Sequence, residues 1–214
     1  MEALAENWDL ILKGFWETIK LLLVSGGLAL VIGILVGVAR VSPVSILRKS
    51  AVGYVTLFRN TPLLVLIILT YYGLPEIGID FGFFVMITMA MGIYTAAFVA
   101  ECIRSGVNGI GIGQAEAARS IGMPFGTTMT QVILPQAFRY VVPPLASVFI
   151  ALTKNTSLAF GFGIAEATFR SKGLLEEFPG ARVEIFLGIS LGYIVIVELI
   201  SFGANRLERR WAMS

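Results

Sequence analysis

The sequence predicts an all-α integral membrane protein with five transmembrane helices. Hydrophobic residues make up 57% of the 214 residues and charged residues only 14%, and the mean hydropathy is +0.85. Soluble domains carry about 25% charged residues. The apolar residues are gathered in runs long enough to cross a bilayer, which takes about 20 residues. The net charge of +2 is too small to indicate binding to nucleic acid.

Residue types that are missing or rare exclude several kinds of chemistry. The chain has no histidine, which removes histidine-based general-base catalysis and the common zinc motifs. An intramembrane hydrolase is therefore disfavoured. The single cysteine, Cys102, cannot form an internal disulfide, and its apolar surroundings favour a small buried side chain.

The N-terminal residues 1–17 are expected to form an amphipathic helix in the membrane interface. They carry four acidic residues against one lysine, the wrong charge for a signal peptide. Their apolar residues share one helical stripe that includes two tryptophans, which is typical of interfacial helices. The stripe consists of Trp8, Ile11, Leu12, Phe15, Trp16 and Ile19.

Five apolar segments predict the membrane spans. The first and third contain uncharged stretches at 21–39 and 81–100, whereas the second, fourth and fifth contain Arg59, Lys154 and Glu198. No repeat or low-complexity linker divides the chain, so residues 1–214 are expected to form a single transmembrane domain. The expected spans are about 18–40, 50–74, 81–103, 132–166 and 184–206.

The basic residues between the spans predict the orientation. With the N-terminus outside, eight lysines and arginines fall inside and four outside, which the positive-inside rule favours. The C-terminus is then cytoplasmic. The inside residues are Arg40, Arg48, Lys49, Arg104, Arg119, Arg206, Arg209 and Arg210. The outside residues are Lys13, Arg170, Lys172 and Arg182.

A less apolar segment, residues 114–131, separates the third and fourth spans on the predicted cytoplasmic side. Residues 114–121 are expected to form a short helix with Gly122 as its C-terminal cap. Pro124 suits the start of a second short helix over about 127–134, and Pro135 marks its end or a kink. Composition alone leaves two possibilities equal, namely two projecting helices and an amphipathic loop on the lipid surface.

The spacing within this segment resembles the EAA loop of bacterial ABC import permeases. That family has isoleucine where this chain has Val132, a mild departure. Three stretches are also similar to permeases of the polar amino acid branch: FRNTPLLV at 58–65, AECIRSGVNGIGIGQAEAARSIGM at 100–123 and LTKNTSLAFGFGIAEAT at 152–168. With the five-span layout, the resemblance covers most of the chain. The residues that match the EAA pattern are Glu116, Ala117, Ala118, Gly122, Leu134 and Pro135.

The resemblance implies a permease subunit of an ATP-driven importer in the bacterial cell membrane. The EAA loop would form coupling helices that dock into a dimer of separate ATPase subunits, with Glu116 facing a basic residue of the partner. Two copies of the chain, or this chain and a homologous permease, would form the pathway. An extracellular solute-binding protein would deliver the amino acid. The chain has no GxxxxGK[ST] sequence, so ATP and magnesium are expected on the ATPase, and no cofactor or metal in this chain.

Polar and charged residues within the second and fourth spans indicate where substrate binds, because such residues usually face a cavity or a partner. Arg59 can contact the substrate or pair with Glu101, and both alternatives stay open at this point. Lys154 lies among polar residues that favour a broken helix presenting a positive end to a substrate carboxylate. The candidate substrate residues are Arg59, Asn60, Thr61, Lys154, Asn155, Thr156 and Ser157.

Asn155 bears on the expected charge of the substrate. Relatives that carry cationic amino acids are expected to have a carboxylate at this position, whereas the neutral amide leaves Lys154 uncompensated. Glutamate is therefore expected first, and glutamine or aspartate next. The alternative function is a stand-alone channel or small secondary carrier, in which residues 114–131 are a passive linker. Glu198 fits either helix packing or contact with a second permease.

Overall fold

The computed structural model describes residues 2–212, and this part of the chain is helical without strands. Four of its helices are long and apolar enough to cross a membrane, or five spans if one sharply bent pair counts as a crossing. A 3₁₀ turn at Pro179–Ala181 precedes the last helix. The helices are α1 (Glu2–Glu6), α2 (Trp8–Val41), α3 (Ser45–Asn60), α4 (Leu63–Glu76), α5 (Phe83–Asn108), α6 (Ile112–Ser120), α7 (Phe125–Phe162), α8 (Ala167–Glu177) and α9 (Arg182–Ala212).

The predicted interfacial helix and the first predicted span share one helix. Helix α2 runs without interruption from Trp8 to Val41, so no break in the helix separates them near residue 17. The chain has no proline in this range that would break the hydrogen-bond ladder. Trp8 and Trp16 are still more than half exposed, as an interfacial stripe requires. They form part of the first turns of a 34-residue helix.

Close contact between α2 and α5 forms the centre of the bundle. Ala29, Gly33 and Gly37 are spaced four residues apart on α2, a pattern that lets two membrane helices approach closely. A Cβ placed on Gly33 would lie 2.5 Å from the Cβ of Val99 on α5, so no larger residue fits there without a shift. Ala29 and Val99 are both buried in the same cluster.

The predicted second span, residues 50–74, falls on two helices, and the chain bends there by 100° between α3 and α4. Thr61 ends α3 in an extended conformation, with φ of −98° and ψ of 129°. Proline restricts the residue before it to such conformations and has no N–H for the helix ladder. Pro62 is therefore the physical cause of the break. Within α4, residues Leu69–Gly73 are π-helical.

The helix that contains the fourth predicted span begins before residue 132. Helix α7 is continuous from Phe125 to Phe162, so the expected second coupling helix, about 127–134, is its first turns rather than a separate element. Residues Thr128–Ile133 are π-helical, directly before Leu134 and Pro135. Pro135 cannot donate a backbone hydrogen bond to the preceding turn, and the π-helical segment accommodates it without ending the helix. The last seven residues, Thr156–Phe162, tighten to a 3₁₀ helix.

Candidate functional site

A cavity of about 260 Å³ lies between α5 and α7. Asn155 is the one predicted substrate residue in its wall, half-buried at the end of the α-helical part of α7. The other lining residues are apolar, aromatic or hydroxylic, and the described lining contains no charged side chain. A mostly apolar cavity with a few polar groups is typical of small-molecule sites. The lining consists of Tyr94, Thr95, Phe98, Ser147, Val148, Ala151, Leu152 and Asn155.

Arg59 lies beside this cavity and contacts its wall. Its guanidinium carbon is 5.4 Å from the centre of the Phe98 ring, which is within the range of a cation–π interaction. Phe98 also lines the cavity. Two predicted substrate residues from different spans, Arg59 and Asn155, are therefore brought to the same cavity wall.

The expected alternative for Arg59, an ion pair with Glu101, is wrong. Arg40 Nη2 donates to Glu101 Oε2 at 2.9 Å, which joins the end of α2 to α5. Arg104 donates to Glu101 Oε1 through Nε at 2.9 Å and through Nη2 at 2.5 Å. Because both carboxylate oxygens are engaged by these two arginines, Glu101 does not neutralise Arg59 by direct contact.

The expected break at residues 154–157 is also wrong. The helix there narrows to 3₁₀ without ending, so it presents no free N-terminus. Thr156 Oγ1 donates to the carbonyl of Thr153 at 2.6 Å, and Ser157 Oγ donates to the carbonyl of Lys154 at 2.7 Å. These hydroxyls are satisfied within the helix. Lys154 is exposed on a different side of α7 and does not line the cavity.

The discontinuous helix lies instead beside Arg59. Asn60 ends α3, Thr61 is extended, and α4 begins at Leu63. The first amides of a helix have no partner within it and carry a partial positive charge. Sequence reasoning named Asn60 and Thr61 but did not use the proline that follows them, which was the signal for the break.

Helix α6 contains three of the six EAA residues and ends as the sequence predicts. Gly122 has φ of +81°, a conformation that favours glycine. Its N–H donates to the carbonyl of Arg119 at 3.0 Å, and the N–H of Met123 donates to the carbonyl of Ala118 at 3.1 Å. This pair of bonds is a Schellman motif. Pro124 then precedes the first turn of α7, as expected.

The α6 segment, residues 110–125, packs against the spans on one side. Ala118 is buried, whereas Glu116 and Ala117 are exposed. Near the base of the segment, Ile110 packs with Ile133 and Ala137 of α7 in a small buried cluster. The segment is therefore held to both α5 and α7.

Three large apolar side chains in and next to α6 are uncovered. Ile112, Ile121 and Phe125 are 77%, 78% and 79% exposed. Large apolar side chains exposed together mark an interaction surface. Glu116 makes no ion pair or hydrogen bond within residues 2–212, so its carboxylate is available to a partner. Leu134 and Pro135 are exposed at the start of the α-helical part of α7.

Glu166 is a buried carboxylate that sequence reasoning left without a role. It caps α8 by accepting from the amides of Thr168 at 2.9 Å and Phe169 at 2.8 Å, and Tyr193 of α9 donates to it at 2.8 Å. The N–H of Ala167 donates to Thr18 of α2 at 3.3 Å. Burial raises the pKa of the Glu166 carboxyl above its ordinary value, although these hydrogen bonds oppose the rise. The network ties α8 to the first and last spans.

Comparison with known sequences places the chain among membrane transport proteins. The family model of the binding-protein-dependent transport system inner membrane component matches residues 29–213. The glutamate transport system permease protein GluC of Corynebacterium glutamicum is 35% identical over 95% of this chain and 94% of that protein. The probable glutamine ABC transporter permease protein GlnM of Bacillus subtilis is 35% identical over 97% of this chain and 95% of that protein.

Comparison with solved structures gives the same fold. The crystal structure of an amino acid ABC transporter with histidines contains a chain with a TM-score of 0.88 and 29% identity, and the match covers 97% of this chain and 96% of that one. A chain of the inward-facing MetNI methionine ABC transporter has a TM-score of 0.77 at 22% identity, with 96% of this chain and 98% of that one covered. The second likeness concerns the fold alone.

Proposed function

Because the chain belongs to the family of binding-protein-dependent transport system inner membrane components, and is a permease subunit of an amino acid ABC importer, we propose that it carries a polar amino acid, with glutamate preferred and glutamine or aspartate next. The family consists of transport proteins rather than enzymes. Its systems include an ATPase and a substrate-binding protein as partners. This membership argues against a stand-alone channel or secondary carrier.

The observation that supports an acidic or neutral substrate is the charge balance around the cavity. Arg59 contacts the cavity wall, while the nearby carboxylate of Glu101 is already bound by Arg40 and Arg104. The described cavity lining contains no acidic residue that would attract a cationic side chain. An anionic group in the cavity would therefore find a cation that no carboxylate contacts directly.

Five of the seven predicted substrate residues have a distinct place in this proposal. Asn155 offers an amide that donates to a carboxylate or a carboxamide equally well. Arg59 supplies the charge, and the break at Asn60–Thr61 brings the start of α4 close to the Arg59 side of the site. Lys154 is exposed in the single chain, so it would contact the substrate only if a second permease encloses it.

The α6 segment is proposed to transmit the motion of the ATPase subunits. Its apolar residues Ile112, Ile121 and Phe125 would be covered by the partner, and Glu116 would pair with a basic residue there. Two permease chains, identical or homologous, would enclose the pathway. ATP and magnesium would be bound by the ATPase dimer.

The orientation with an external N-terminus and a cytoplasmic C-terminus remains part of the proposal. It requires the bent pair α3 and α4 to count as one crossing, which makes five spans. Cysteine labelling from either side tests it, with Glu6→Cys and Glu208→Cys made in a Cys102→Ala background. Labelling of Glu6→Cys from the cytoplasm would refute this orientation.

Uptake into vesicles that contain the assembled transporter tests the substrate. We expect ATP-dependent uptake of glutamate, competition by unlabelled glutamine and aspartate, and no competition by arginine. Arginine uptake equal to that of glutamate would overturn the proposed specificity. Purification of the tagged chain without any associated ATPase activity would overturn the proposed coupling.

A further inference from the structure

The last two turns of α9 form a basic end that the transport mechanism does not use. Arg206, Arg209 and Arg210 are all exposed and stand against a single acidic neighbour, Glu208. Within residues 2–212, none of these arginines makes an ion pair. Two surface cavities of about 470 and 290 Å³ both have Arg206 and Arg209 in their walls. The arginine pair therefore lies between two open recesses.

The arginines continue the apolar exposed face of the last span. Val195, Leu199, Phe202, Arg206 and Arg209 follow one another at intervals of four and three residues, so they share one side of the helix. The first three are 56%, 66% and 63% exposed. The Arg206 guanidinium carbon is 6.0 Å from the centre of the Phe202 ring. An apolar face thus changes to a cationic one within a single turn.

The spacing along the helix fits the depth of a lipid headgroup layer. Arg206 and Arg209 lie about 6 and about 10 Å beyond Phe202 along the axis, at about 1.5 Å per residue. The headgroup layer occupies about 5–8 Å on each side of the hydrocarbon core. With Phe202 at the edge of the hydrocarbon, Arg206 lies within the headgroup layer. Arg209 lies just beyond this layer, and its long side chain reaches back toward the phosphates because helical side chains tilt toward the N-terminus.

We propose that Arg206 and Arg209 bind the phosphate of an anionic phospholipid. The guanidinium fork matches phosphate oxygens with paired hydrogen bonds. Asn205 lines the smaller recess beside the same arginines and adds an amide donor. Phe202 lines that recess too, and Leu207 lines the larger one, so both recesses offer contacts to an acyl chain.

The charge distinguishes lipid from a second copy of the chain as the occupant. Two permeases related by an axis normal to the membrane would bring the arginines of both copies together if they met on this face, and like charges repel. Anionic lipid supplies the opposite charge. The apolar stripe that leads to the arginines supports lipid over a docked ATPase, because that stripe runs back into the span.

Native mass spectrometry of the full chain in neutral detergent, supplied with equal phosphatidylglycerol and phosphatidylcholine, tests the proposal. We expect phosphatidylglycerol to bind preferentially. Arg206→Gln with Arg209→Gln should weaken this binding by about 30-fold, at about fivefold for each basic residue. The paired lysine substitutions should retain most of it. Arg182→Gln, which removes one positive charge at the other exposed end of α9, is the control for each single substitution and should leave phosphatidylglycerol binding unchanged.

Four outcomes would overturn the proposal. These are unchanged phosphatidylglycerol binding in the double glutamine variant, an equal loss in Arg182→Gln, equal binding of both lipids, and displacement of the lipid by millimolar inorganic phosphate, which would indicate a site for a free anion. Loss of ATPase binding in lipid-free detergent, with lipid binding intact, would assign the arginines to a protein interface instead. Circular dichroism of each variant confirms that the helical fold is retained.

Discussion

Asn155→Asp tests the proposed charge selectivity of the cavity directly. The substitution changes a neutral amide to a carboxylate of the same shape at a half-buried position in the wall. In a cavity of about 260 Å³, the new charge would lie about 5–8 Å from a bound side-chain carboxylate. At an effective dielectric constant of about 20, the repulsion is about 2–3 kcal/mol. This corresponds to a loss of about 30- to 150-fold in affinity.

The assay compares kcat/KM for glutamate and glutamine in vesicles containing the same transporter. Both substrates share the α-carboxylate and the α-ammonium group, so their ratio isolates the effect on the side chain. We expect glutamate to lose at least tenfold more than glutamine. Asn108→Asp, the same change at the exposed end of α5, is the control and should leave the ratio unchanged. An equal loss for both substrates would refute a site in which Asn155 faces the substrate side chain.

Three further predictions concern other parts of the chain. Gly122→Ala places a side chain at φ of +81°, which costs about 1–2 kcal/mol of conformational free energy, and should reduce substrate-stimulated ATP hydrolysis. Gly113→Ala is the control and should leave this activity unchanged, because Gly113 does not have a positive φ. Equal activities of the two variants would contradict the coupling role. Glu101→Gln weakens charge-assisted bonds to two arginines and should lower the unfolding free energy by about 1–3 kcal/mol, measured as a lower Tm. An unchanged Tm would show that the bonds of Glu101 to Arg40 and Arg104 do not stabilise the fold. Because burial raises the pKa of Glu166, its favourable contribution is full at low pH and is lost as pH rises through that pKa. The Tm of the wild type should therefore rise relative to that of Glu166→Gln as pH falls toward the ordinary pKa of a glutamate carboxyl, and parallel profiles would refute this.

Features with a strong local cause could be predicted from the sequence. Gly122 ends α6 in a left-handed conformation because a glycine followed by Met123-Pro124 suits a helix end, and the structure has this cap. The long apolar runs likewise correspond to the helices α2, α5, α7 and α9. Asn155 lines a cavity, whereas the sequence had suggested it as part of a helix break, and the helix does not break there.

The errors arose where local patterns compete with packing. Thr156 and Ser157 are typical of helix interruptions, yet their hydroxyls bond to carbonyls of the preceding turn and the helix continues. The apolar run after Pro62 concealed a 100° bend, because hydropathy measures composition and not direction. The partner of Glu101 depended on the approach of α2 to α5, and Arg40 is 61 residues away in sequence.

Helix α5 extends from the cavity to the α6 segment. Its residue Phe98 forms part of the cavity wall and contacts Arg59, and Glu101, less than one turn later, is clamped by Arg40 at the end of α2. The chain directly after α5 places Ile110 against Ile133 at the base of the α6 segment. Packed interiors are stiff, so a displacement of α6 by a docked ATPase cannot be absorbed between these contacts. It would instead move α5 as a rod, and would change the distance between Phe98 and Asn155 across the cavity. Under the proposed coupling, substrate in the cavity would in turn change the affinity of α6 for the ATPase, since coupling between the binding free energies of two sites is reciprocal.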